Sequence, residues 1–284
     1  MLSKEAKEYI KNNQELIEEN NFKEFFDKCS KFNRGEIAEF FLLDCDINFL
    51  EYIEEMPEYL FSRSKRLKNI DIPNSVTKIS KEAFNSCTSL KSITIPDSVN
   101  EIGECAFYCC ESLQSINIPD SIIVIGRSAF HSCKSLQSIN IPNSVTEIGS
   151  YAFSHCYSLK SIVIPNSVTK IGNSAFWKCT ELQSITIPDS VTKIDNDVFY
   201  GCRSLQSINI PNSVIDIGEH VFFDCTSLQS IIIPESVAYI GEDTFYNCSS
   251  LKEIKLSKHL KENGLKLSDI GIHRRRDNIN VIWY

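Results

Sequence analysis

Nothing in this 284-residue sequence approaches the run of about 20 apolar residues that spans a bilayer, so membrane insertion is not expected. Basic charge is not in excess either. The formal net charge is −8, opposite in sign to the footprint of a general nucleic-acid binder, so no nucleic-acid partner is expected. The opening MLSKEAKEYIKNNQ carries charges where a signal peptide has an apolar core. The expected location is therefore cytoplasmic, or cell-surface or secreted if a signal peptide once preceded this sequence. No Gly-rich phosphate loop is present, and the carboxylates show no paired arrangement. The five histidines, His131, His155, His220, His259 and His273, recur with no carboxylate. His155 adjoins Cys156, but that cysteine belongs to a repeated apolar position, which argues against a Cys/His nucleophile. The expectation is a protein that is not an enzyme, with no cofactor and no metal.

What the chain does have is repetition. LKSIVIPNSVTKIGNSAFWKCT, residues 159–180, makes with Glu181 one unit of 23 residues. Units open at Leu67, Leu90, Leu113, Leu136, Leu159, Leu182, Leu205 and Leu228, and a ninth begins at Leu251 before the wording fails. A fixed period in this range marks a solenoid whose units stack only on their neighbours.

Each unit begins Leu-x-Ser-Ile-x-Ile, as at Leu136, Ile139 and Ile141. This alternation of apolar, β-branched residues predicts a short strand buried on one face. A proline such as Pro142 or Pro165 ends it, having no N–H to donate, and Asn-Ser or Asp-Ser then turns the chain. A second apolar pair follows (Val145 and Ile148), usually with a glycine such as Gly149 or Gly172, for which positive φ is expected. Ala-Phe and a cysteine three residues later close the unit. No coil could bury these positions alone, so the coils must stack.

The repeated LxSIxIPxSVTxIGxxAFxxC resembles the leucine-rich repeats of the BspA-like (Treponema pallidum-type) subfamily, from Leu67 to about Leu256. The resemblance implies an α/β fold: a curved stack of coils with a parallel β-sheet on the concave face. It implies a scaffold for binding rather than one activity, and cell-surface adhesion is one use of it.

Eight of the twelve cysteines hold the same repeat position: Cys87, Cys110, Cys133, Cys156, Cys179, Cys202, Cys225 and Cys248. Stacked coils place equivalent positions about 4.8 Å apart, whereas a disulfide needs Cβ atoms near 3.8 Å. The expectation is a buried ladder of reduced thiols behaving as small hydrophobes. Cys105, Cys109 and Cys110 form a local CxxxCC cluster in which Cys109 is the candidate for an exposed, reactive thiol.

Residues 1–55 lack the repeat and read as a helical N-terminal cap. Ile10, Leu16 and Ile17 mark one apolar face, Phe22, Phe25, Phe26, Phe32, Phe40 and Phe41 another, and Asn21 and Asn33 are expected N-caps. Residues 56–256 read as the solenoid: a degenerate half-repeat over 56–66, eight full repeats over 67–250 and a partial ninth from 251. In the half-repeat Met56, Phe61 and Ser64 stand where the next unit has Ile79, Phe84 and Cys87. Residues 257–284 read as a C-terminal cap, with strand character in NINVIWY and a small basic patch at His273, Arg274, Arg275 and Arg276.

Two outward columns invite a partner. The position between the strand isoleucines (Asp71, Thr94, Asn117, Asn140, Val163, Thr186, Asn209, Ile232, Lys255) is mostly short and polar, without an aromatic anchor. The position after each buried Phe instead carries Tyr108, His131, Trp177, Tyr200, Phe223 and Tyr246, a ladder of rings suited to a protein or a glycan. The expected function is a non-enzymatic protein-binding scaffold using these six residues; a surface adhesin or a self-assembling structural protein are the alternatives.

Overall fold

The computed structural model describes residues 2–45, 48–273 and 279–284. Arg274–Arg276 of the basic patch, and the side chain of Phe32, lie outside what is described.

The repeats stack as parallel coils joined on three sides by backbone hydrogen bonds. On the first side the Ser-Ile-x segments pair in parallel with a step of one unit, as Ser161↔Ser184, Ile162↔Ile185 and Val163↔Thr186. On the second, the residues before the glycine pair likewise, as Glu147↔Lys170 and Ile148↔Ile171. The expectation named one parallel sheet; this second ladder arises because Val145 and Ile148 also point inward and fix their backbone against the next coil. On the third side lies the Ala-Phe bend. Here alternate N–H groups donate to the next coil: Phe84 to the Ala106 carbonyl at 2.8 Å and Ser86 to the Tyr108 carbonyl at 2.7 Å. The intervening N–H groups close turns within the coil, as from Cys87 to the Phe84 carbonyl at 3.1 Å.

That alternation needs a left-handed backbone two residues before and two residues after every Phe. It occurs at Glu82 and Ser86, Cys105 and Cys109, Tyr151 and His155, and at the same places in every other coil, with φ from 50° to 69°. Only Gly201 among them is a glycine. The repeat glycines, expected to supply positive φ, do not adopt it. They are needed for close approach instead: a Cβ on Gly172 would stand 2.6 Å from the Ser150 nitrogen, and one on Gly241 2.4 Å from the Glu219 nitrogen.

Nine phenylalanines, from Phe61 to Phe245, form one buried stack with centroids 5.2–5.8 Å apart and rings within 14° of parallel. Beside them run the eight repeat cysteines, all buried as thiols. They are more than small hydrophobes, because each thiol donates to the Phe carbonyl one coil back, as Cys110 to Phe84 at 3.2 Å and Cys133 to Phe107 at 3.3 Å.

The N-terminal helices are α1 (Lys4–Asn12), α2 (Gln14–Glu18), α3 (Phe22–Lys28) and α4 (Lys31–Asp44), followed by a 3-10 turn at Phe49–Tyr52. Ser3 caps α1 and Asn21 caps α3 by accepting from the Glu24 N–H at 3.3 Å. Asn33 is not a cap: it lies inside α4, which starts after Ser30. Phe22, Phe25, Phe26, Phe41 and Phe49 are buried together, and Phe49 meets Phe61 at 6.0 Å, so the helical core continues into the Phe stack. Ser64, in the cysteine position, donates to the Gly35 carbonyl of α4 at 2.9 Å.

At the other end, Glu253–Leu256 pairs in parallel with Asn280–Trp283, which adds a last strand to the first ladder. Between them α5 (Lys258–Glu262) breaks the repeat. His259 fills the place of the turn serine: where Ser236 donates to the Val214 carbonyl, His259 Nε2 lies 2.8 Å from the Val237 carbonyl.

Two measurements check this core. Gly172→Ala should destabilise by about 1–3 kcal/mol through the clash with the neighbouring coil, and Ser86→Gly should stabilise by about 1 kcal/mol by relieving a left-handed serine; chemical denaturation reads both signs. Thiol reagents should label Cys45 fast and half-buried Cys105 and Cys109 slowly in the folded protein, and the other nine only after unfolding. Rapid native labelling of the repeat cysteines would contradict the core assignment.

Candidate functional site

Because each coil repeats the same bend, the residue after the buried Phe emerges at the same place in every coil. The half-buried rings there lie on one another: Tyr108 on His131 at 4.6 Å and 5°, Tyr200 on Phe223 at 4.7 Å and 4°, Phe223 on Tyr246 at 4.8 Å. Tyr246 is the most exposed, at 43%. Ser154 would interrupt the column, but His155, at the neighbouring left-handed position, swings into the gap. Its ring meets His131 at 5.2 Å and Trp177 at 4.7 Å, edge to face with both. The column therefore runs unbroken through seven coils. All six expected residues belong to it. His155 is the member that reading column by column missed, although an aromatic immediately after a small residue was the available signal.

Stacking consumes the ring faces, so what the column offers outward is mostly ring edges and hydroxyls. Trp177 is the exception, turned 57° out of parallel with Tyr200. Lys178 Nζ sits 4.7 Å from the Trp177 ring centroid. Gly201 makes room for that lysine, its Cβ position being 3.1 Å from Lys178 Cγ.

Beside the column runs a groove of about 550 Å³. One wall is Trp177, Tyr200 and Phe223; the other is the left-handed column of Tyr151, Ser174, Asp197 and His220. Burial raises the Asp197 carboxyl above the usual range, an effect opposed by His220, whose Nδ1 lies 3.5 Å from Asp197 Oδ1.

The thiols are not activated. Burial pushes Cys156 to about 12 and raises Cys109, and Glu111 adds to the rise at Cys109. A thiol raised in this way is protonated at neutral pH, so Cys109, the candidate reactive thiol, is a poor nucleophile. Among the described residues no group of three His, Cys, Asp or Glu side chains could hold a metal ion. No helix among them is long and apolar enough to cross a membrane. In the strand-face column the two apolar members, Val163 and Ile232, are 75% and 54% exposed.

The model of the BspA-type leucine-rich repeat region matches six copies over residues 54–183 and 169–267. The chain belongs to the BspA-type leucine-rich repeat family. A leucine-rich repeat protein of T. pallidum is 31% identical, with a TM-score of 0.54 over 76% of this chain and 86% of its own. One from Bacteroides ovatus is 25% identical, at a TM-score of 0.40 and 82% coverage of both chains. A leucine-rich cell surface protein of Faecalibacterium prausnitzii is 26% identical, at 0.48 over 82% of this chain and 77% of that one. No curated protein matches the sequence.

Within this BspA-type stack the two histidines of the column are a weak point toward acid. Burial pushes His131 down to about 4, with His155 adding to the effect, and burial also lowers His155. His131 Nδ1 is buried without a hydrogen-bond partner. Above pH of about 6.5 both folded and unfolded chains hold a neutral imidazole. As pH falls toward about 4, the unfolded chain takes up a proton that folded His131 refuses, so stability declines across that window. His131→Phe keeps a ring in the stack and cannot titrate. Its unfolding free energy should fall less between pH 6.5 and 4 than that of the wild type; an identical slope would remove His131 from the column's pH response.

Proposed function

We propose that this BspA-type chain is a non-enzymatic protein-binding scaffold whose working surface is the aromatic column from Tyr108 to Tyr246. The observation that carries the reading is the unbroken run of half-buried rings with a groove along its side. The inter-coil hydrogen bonds fix the surface before any partner arrives, so association would lose little conformational entropy. Aromatic residues of this kind dominate the energetics of protein interfaces. Occupied ring faces favour a protein over a glycan, because a sugar packs its C–H face flat against an open ring.

The test compares capture of partners from the native host by the wild type and by Trp177→Ala/Tyr200→Ala/Phe223→Ala. These rings are peripheral to the buried Phe stack, so circular dichroism should show the coils intact. A partner retained by the wild type and lost by the triple variant supports the column. A partner kept equally by both moves the binding surface to the strand face or the helices.

A further inference from the structure

The groove between Tyr151 and Phe223 has a sign as well as a shape. Asp197 and His220 are the acid and base that line it, and the Asp197 carboxylate is held in partly desolvated surroundings. Glu219 precedes His220, and Glu242 and Asp243 take the equivalent places one coil on. No lysine or arginine forms an ion pair with any of these three among the described residues. Of the nearest cations, Lys178 stands over Trp177 on the aromatic wall, 4.7 Å from its ring centroid, and Arg203 pairs with Asp224 at 2.8 Å; neither forms an ion pair with Asp197. The groove thus joins an aromatic wall to a partly desolvated carboxylate that Glu219 pushes in the same direction as burial does. That combination suits a planar, weakly hydrated cation on a long apolar stem, which can pair with the carboxylate while its methylenes pack against the ring edges.

We infer that the groove receives an arginine side chain from an extended segment of a partner protein, its guanidinium paired with Asp197 and its methylene stem packed against the exposed edges of Trp177 and Tyr200. Four coils contribute to the left-handed wall. At about 4.8 Å per coil the wall is about 14 Å long, the reach of roughly four extended residues. His220 is only a distant partner of Asp197, and a guanidinium would replace that contact with a direct pair. The inference rests on the aromatic column being the binding surface, and it adds the chemistry of the occupant.

The test pans a random dodecapeptide phage library against the full chain and measures the affinity of the enriched peptides. Asp197→Asn is the informative variant, because asparagine keeps the size and tolerates the left-handed backbone found there (φ 58°). The expected result is enrichment of arginine-bearing peptides that bind Asp197→Asn at least about tenfold more weakly. Their binding should survive Glu111→Gln, a charge change outside the groove, and thermal melts should match. Peptides without a basic residue, or arginine peptides indifferent to Asp197→Asn, would overturn the inference. If such peptides are still lost in Trp177→Ala/Tyr200→Ala, the aromatic surface stands and only the cation assignment falls. A library giving no binder that depends on either variant overturns both.

Discussion

The Phe bend is the contact on which the rest of the molecule depends. At each coil the Phe N–H is donated to the carbonyl before the next Phe, and the ring lies parallel on the next ring. Hydrogen bond and ring stack demand the same step between coils. A residue that shifted one would break the other. The cost is two left-handed residues per coil, which a lone turn would resist and which the neighbouring coils impose. Once the step is set, any position in the repeat becomes a straight column, and the surface of the protein is a set of such columns.

The cysteine ladder follows from the same bend. The Phe carbonyl points toward the core of the next coil, and the thiol there donates to it at 2.9–3.3 Å in all eight cases. A methyl group of similar size would bury that carbonyl with one partner fewer. Where the repeat departs from its wording, the donor role is conserved in kind: Ser64 supplies a hydroxyl against α4, and His259 supplies a ring nitrogen in place of a turn serine. These exchanges occur at the two ends, where the stack meets helices and ordinary size limits relax.

The same rigidity shapes what the protein can recognise. A column of rings stacked face to face is stable but presents edges, so recognition falls to the places where stacking is imperfect. Trp177 is turned out, Ser154 is bridged by His155, and Ser174 leaves space beside them. The groove is therefore a product of irregular side chains on a regular backbone. That is how one repeat architecture of the BspA type can carry different binding surfaces without changing its core.

The period, the strand ending at each proline, the inward isoleucines and the reduced thiols were legible from the amino-acid sequence, because burial of apolar residues at a fixed interval has few solutions. So were six of the seven residues of the aromatic column, and the match of Phe61 and Ser64 to the first full coil. The backbone at the glycines was not: Gly172 is required by the Ser150 nitrogen of the preceding coil, while left-handed φ went to residues such as Tyr151 and Lys178 that have no local preference for it. The second ladder, the bridging by His155, the thiol donors and the groove at Asp197 were also decided only by the fold. Each depends on the distance between residues 22 to 26 positions apart in neighbouring coils. Sequence periodicity says that such residues meet; only the packed backbone fixes how closely, and which side of a ring is left open.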